Sequence, residues 1–172
     1  LSKKYVSSLT GLPKKYEKPI GKEHLEFILV EGDSAMGNAR LARDPERQGI
    51  LPLRGKPANA MSKSHKEFFE NEECQAIYNI LGCGEGKKCD SRRCKFEKII
   101  FLGDADMDGL HIRTLLLKMF LVYYRPLVEE GRVYGAVPPL YSVKKGKDRI
   151  FLTDKFAYIK YVYSKFAAKN EV

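Results

Sequence analysis

Lys98-Ile-Ile-Phe-Leu-Gly-Asp-Ala-Asp-Met-Asp-Gly-Leu110 is the stretch that decides the fold. Its four apolar residues, Ile99 to Leu102, predict a buried strand. Asp104, Asp106 and Asp108 follow at every second position, Gly109 lets the backbone turn, and a helical run extends from His111 to about Tyr124. In α/β sheets, ligands collect in the crevice beyond the carboxyl ends of the strands. Three acids gathered there repel one another and call for a neutralising cation. All three offer oxygen ligands, which suit a hard divalent ion, with Mg²⁺ the first choice. The competing reading is one helix-capping acid with solvated neighbours.

A second strand, Leu25 to Val30, ends in Glu31-Gly-Asp-Ser-Ala35 and so delivers another acid to a strand end. Asp33 or Ser34 is expected to cap a helix running to about Arg43. Ile50-Leu-Pro-Leu53 is a short apolar piece whose proline assigns it to an edge or terminal strand. Arg54-Gly-Lys56 follows, two cations around a glycine that suit close approach to a phosphate or make a plain basic turn. Asn59, Lys63 and Lys66 keep that neighbourhood polar.

Ser62 to Phe69 and Glu72 to Leu81 predict two helices, the second ended by Gly82. The helix after the acids is apolar on most sides and belongs in the core, with His111 and Arg113 in its first turn. Val133 to Val137 predicts a further strand, Tyr141–Val143 and Arg149–Leu152 a hairpin, and Thr153 or Asp154 the cap of a last helix. Strands alternating with helices predict an α/β fold: a central, mostly parallel sheet flanked by helices, with a C-terminal hairpin and helix. Residues 1–24 are expected to be an extended lead-in, 25–147 the domain, and 148–172 the start of a tail or insertion. The start at Leu1 suggests a piece of a longer chain with a missing upstream domain.

At 172 residues, with 44% hydrophobic and 31% charged residues, the chain can build one sizeable core. No apolar run approaches the roughly 20 residues of a membrane span, and the Lys-rich N-terminus has no signal-peptide core. The net charge of +9 suits a polyanion, nucleic acid being the commonest, or a solvated basic surface. Cys74, Cys83, Cys89 and Cys94 contain no Cys-x-x-Cys pair, so reduced thiols are expected ahead of a structural zinc or a disulfide.

Two enzyme chemistries fit these residues. Metal-assisted phosphodiester chemistry on nucleic acid would use Asp104 and Asp106 as metal ligands, Asp108 as a ligand or support, and Glu31 as ligand and general acid or base. Arg54, Lys56, His111 and Arg113 would then hold phosphates. Alternatively, the strand ending in Asp-x-Asp resembles the opening motif of haloacid-dehalogenase-type phosphatases, whose first Asp is a nucleophile. That motif usually opens its domain, whereas here about a hundred residues precede it. A non-catalytic nucleic-acid-binding module with a structural cation is the third reading.

Taken together, Glu31-Gly-Asp-Ser-Ala35, Leu51-Pro-Leu-Arg-Gly-Lys56, Leu81-Gly-Cys-Gly84, Asp104-Ala-Asp-Met-Asp-Gly109, His111-Ile-Arg-Thr-Leu-Leu-Leu117 and Pro138-Pro-Leu-Tyr141 resemble, in order, the Toprim region of bacterial type IIA topoisomerases. The B subunit of DNA gyrase and its topoisomerase IV counterpart are the nearest in pattern. The likeness runs from about Leu12 to about Lys147. It implies a Rossmann-like Toprim fold, one or two Mg²⁺ ions, and cleavage and religation of double-stranded DNA in an A₂B₂ complex. ATP would be used only by the absent ATPase domain, and the nucleophilic tyrosine would belong to the A subunit. By motif, Glu31 is the general acid/base and a metal ligand, Asp104 and Asp106 are metal ligands, and Asp108 is a further acidic member. Arg54, Lys56 and Asn59, with His111 and Arg113, are the DNA-contact set, and Asp33 and Arg54 fall in the neighbourhood of drugs bound at the cleavage site. A cytoplasmic, nucleoid-associated location without membrane attachment is implied as well. Met36, Gly103, Leu110 and Pro57-Ala58 depart from the family's usual residues, which suggests a divergent member of bacterial or viral source.

Overall fold

The computed structural model describes residues 11–104 and 106–167. Its sheet has four parallel strands in the order β2-β1-β3-β4: β1 Leu25–Glu31, β2 Gln48–Leu53, β3 Phe96–Leu102 and β4 Val133–Gly135. The two central strands carry near-continuous apolar runs, as strands covered on both faces must. Pro52 is tolerated because β2 lies at the edge, as its sequence predicts.

Right-handed crossovers place α1 (Gly32–Ala42), which joins β1 to β2, on the face opposite α2 (His65–Phe69), α3 (Glu72–Leu81) and α4 (Met107–Tyr123). The core follows the second face. Phe27, Leu29, Ile99 and Phe101 from the sheet pack with Phe68, Ile77, Leu81, Leu116, Met119 and Phe120. By contrast α1 buries no residue at all and leaves Leu41 87% exposed. The short helix α5 (Arg125–Glu129) adds Leu127, and no described residue beyond Leu127 is buried. The hairpin β5–β6 (Tyr141–Lys145 and Asp148–Leu152) and α6 (Lys155–Ala167) therefore stand outside the core, joined to each other by stacked Tyr141 and Tyr158.

Several local expectations are corrected. The helix α1 begins at Gly32, with Glu31 rather than Asp33 or Ser34 in the cap position, because Gly32 adopts φ +71° and turns the chain straight out of β1. Helix α4 begins four residues before His111. Asp106 is its N-cap, accepting a 2.8 Å hydrogen bond from Gly109 N, and Asp108 lies in its first turn. The three acids are thus not an extended, alternating row. The lead-in is also more than a connector: Tyr16 is buried against Phe27, and Glu17 exchanges two backbone hydrogen bonds with Ile50 at the outer edge of β2. That pairing covers an edge that would otherwise be open. Residues 1–10 and 168–172 lie outside the described residues.

Candidate active site at the switch point

The strand order creates one topological switch point. From β1 the chain leaves toward β2, from β3 it leaves toward β4, and the two strands are neighbours. A crevice opens between their carboxyl ends. Glu31 closes β1 and Asp104 follows β3, so the two acids assigned from separate motifs meet there. Glu31 Oε2 accepts a hydrogen bond of 3.2 Å from Asp104 N.

Glycines make this contact possible. A Cβ on Gly109 would lie 2.2 Å from Asp104 O and 2.8 Å from Glu31 Oε2, so no larger residue fits there without moving backbone. At Gly103 it would sit 3.3 Å from the same carboxylate oxygen, a tight contact that the Glu31 side chain would relieve by shifting a few tenths of an ångström.

The remaining acids are exposed. Asp104 and Asp106 form no ion pair among the described residues, whereas Asp108 pairs with Lys56 at 2.8 Å. Through that hydrogen bond and its charge, the Lys56 ammonium holds the Asp108 carboxyl below its usual range. The competing reading, one helix-capping acid with solvated neighbours, therefore describes Asp106 as the cap, whereas Asp108 is paired with Lys56. Among the described residues, no three His, Cys, Asp or Glu side chains converge closely enough to hold a metal ion as they stand. The donors fit a hard cation in kind, being carboxylates at the ends of two adjacent strands.

Around the acids, Arg54 Nε donates to Asp33 Oδ1 at 3.2 Å, so Arg54 and Lys56 each rest on an acid, one on α1 and the other on α4. Both cations are exposed and free to exchange partners. His111 is exposed in the first turns of α4. Arg113 is committed differently: its Nη1 donates to Ala136 O at 3.0 Å and pins α4 to the end of β4. Asn59 is a turn former, its Oδ1 accepting from Met61 N and its carbonyl from Ser62 N and Lys63 N. All four cysteines are free. Burial pushes the Cys74 thiol up to about 12. A hydrogen bond to Cys94, together with burial, raises Cys83.

Sequence reasoning missed Asn71 and Glu73 at the start of α3. Glu73 is only 6% exposed, yet it accepts from Lys15 Nζ at 2.6 Å and from Arg54 N at 3.0 Å. A buried charged residue on an amphipathic helix is the signal that could have marked it, although its partners are remote in the chain.

A doubly wound parallel sheet with Glu31 at the end of β1 and Asp104 just after β3, at its switch point, defines a Rossmann-like α/β domain. The chain belongs to the Toprim domain family, whose family model matches residues 26–137. It is 46% identical over 147 residues to the B subunit of the type 2 topoisomerase of Aquifex aeolicus, a match covering 86% of this chain and 19% of that protein. The DNA gyrase B subunit of Thermotoga maritima is 46% identical over 131 residues (76% of this chain, 21% of the relative), and that of Helicobacter pylori 46% over 158 residues (90% and 20%). The Helicobacter match is longer than the span from Leu12 to Lys147. The chain spans about a fifth of the length of these curated relatives. Membership in the Toprim family replaces the phosphatase resemblance.

Proposed function

We propose that this chain is the Mg²⁺-binding Toprim part of a type IIA topoisomerase B subunit and supports double-strand DNA cleavage and religation. The observation that carries this reading is the placement of Glu31 and Asp104 at the adjacent strand ends of the β1/β3 switch point, with Glu31 Oε2 accepting from Asp104 N. The resemblance to the B subunits of gyrase and type 2 topoisomerase supports it. Glu31, Asp104 and Asp106 would hold the ion, with Asp108 beside them. When bound, Mg²⁺ supplies Lewis-acid stabilisation of charge on the phosphoryl and leaving oxygens. Glu31, whose carboxylate lies against the backbone of Asp104 and Gly109, would act as the general acid or base at the leaving oxygen. Arg54 and Lys56 exchange their carboxylate partners for DNA phosphates, and His111 adds a donor from α4. The tyrosine nucleophile comes from an A subunit in an A₂B₂ assembly. ATP is hydrolysed by a separate ATPase domain, and the complex works on the nucleoid in the cytoplasm. Among the described residues, no helix is long and apolar enough to cross a membrane.

Reconstitution with an A subunit and an ATPase domain tests the proposal. Glu31→Ala or Asp104→Ala is expected to lower metal-dependent DNA cleavage by at least about 100-fold, the scale of losing a charge-stabilising or proton-transfer group. Wild-type cleavage by either variant overturns the assignment. Loss of cleavage with DNA binding retained excludes the non-catalytic binding module.

A further inference from the structure

We infer that Asn71 and Glu73, at the start of α3, are positioning residues that hold the backbone of the Arg54–Lys56 loop in place while leaving its two cationic side chains exposed. This inference rests on the reading of that loop as DNA-facing. Both ends of the loop are held from one helix turn. Glu73 Oε1 accepts from Arg54 N at 3.0 Å, and Asn71 Nδ2 donates to Lys56 O at 3.4 Å. The same Asn71 side chain caps α3 through its Oδ1, which accepts from Glu73 N and Cys74 N at 3.1 Å each. The clamp and the helix start are therefore one structure. Lys15 completes it, donating to both oxygens of Glu73 at 2.6 Å and neutralising a carboxylate that would otherwise be buried with its charge uncompensated.

The consequence is a division of labour within three residues. The Arg54 and Lys56 side chains are half or more exposed and bridge outward to Asp33 and Asp108, on either side of the switch-point crevice. Their backbone is tied inward to a buried acid. A loop held this way loses little ordering entropy when its cations move onto phosphates, which is how preorganisation favours binding. Without the clamp the same two charges would be present but their loop would have to be ordered by the ligand.

Electrostatics and positioning predict opposite signs for one variant. Glu73→Ala removes a negative charge from a basic protein, so charge alone predicts tighter binding of DNA. Positioning predicts weaker binding, by about fivefold for the loss of one backbone-directed hydrogen bond. Glu73→Gln keeps an oxygen acceptor for Arg54 N and is expected to stay within about twofold of the unsubstituted chain. The measurement is the affinity of the 172-residue chain for a short DNA duplex at low salt, with Arg54→Ala and Lys56→Ala alongside. Amide hydrogen exchange at Arg54 in the absence of DNA is the companion readout, fast in Glu73→Ala and slow in Glu73→Gln. Asn71→Ala, which leaves the charge unchanged, is expected to weaken binding too.

Equal or tighter binding by Glu73→Ala, with Arg54 exchange unchanged, overturns the clamp. If Glu73→Ala does not fold, slow Arg54 exchange in Glu73→Gln together with weakened binding by Asn71→Ala sustains it, and failure of both overturns it. Should Arg54→Ala and Lys56→Ala both bind DNA as well as the unsubstituted chain, the DNA-facing reading itself fails, whatever Glu73 does.

Discussion

Two groups of carboxylates in this domain face opposite demands. Asp104, Asp106 and Asp108 follow β3 in the open, and one of them has a cation for a partner. Glu73 is buried and fully engaged, with Lys15 on both oxygens and Arg54 N on one. An exposed acid can wait for a ligand because water solvates it meanwhile. A buried one must be satisfied by the protein itself, so its partners are built into the fold. The first group would be what the proposed site offers a cation, while the second is what keeps a loop still. The two are linked physically, since the loop held by Glu73 reaches Asp108 through Lys56.

Removing the partner of the buried acid should break this contrast most severely. Lys15→Met leaves Glu73 with a buried charge and one neutral donor, and is expected to cost about 3 kcal/mol, the scale of breaking a buried ion pair. Urea unfolding followed by circular dichroism measures it. Combining Lys15→Met with Glu73→Gln removes the stranded charge and should recover most of the loss. A double variant no more stable than Lys15→Met would show that Lys15 acts through something other than Glu73.

Within the exposed group, Asp106 sharpens the contrast because it has a structural duty as well. Its Oδ1 caps α4 through Gly109 N, so Asp106→Ala is expected to cost about 1 kcal/mol. Asp106→Asn keeps the cap and should unfold near the unsubstituted midpoint while weakening Mg²⁺ binding measured by calorimetry. Equal stability of the Ala and Asn variants would remove the capping role, and unchanged Mg²⁺ binding in Asp106→Asn would remove Asp106 from the ligand set.

This double duty explains where the sequence could be read and where it could not. The apolar runs of β1 and β3 are local signals, and each strand falls where its pattern predicts. The alternation Asp-x-Asp-x-Asp imitates an extended segment, yet the chain turns helical at Met107, because an Asp before a helical run also reads as a cap. The lead-in is harder to read. Lys15 finds Glu73 58 residues away, and Glu17 pairs with Ile50 across the sheet edge, neither of which a local pattern can register. Arg113 and Asn59 each also bond to the protein's own backbone, Arg113 Nη1 donating to Ala136 O and Asn59 Oδ1 accepting from Met61 N, contacts that residue type alone does not reveal. Composition identifies the donors, and only the fold assigns their partners.

The smallest expected effect belongs to Asp108, at the solvated extreme of the comparison. Lys56, by hydrogen bond and charge, lowers its pKa in the folded state. A depressed carboxylate contributes stability that is present above its unfolded pKa of roughly 3.9 and disappears as pH falls through the lower folded value. Because the pair is exposed, salt and water screen most of that contribution. Asp108→Asn should therefore melt close to the unsubstituted chain at about pH 7 and lose slightly less stability between about pH 4 and 2, flattening the acid limb of a melting-temperature profile. The residual difference near neutral pH should vanish in about 1 M salt. A large, salt-insensitive loss at neutral pH would mean that Asp108 is held as Glu73 is, and the division between waiting and engaged acids would then fall between Asp106 and Asp108 rather than between the switch-point crevice and α3.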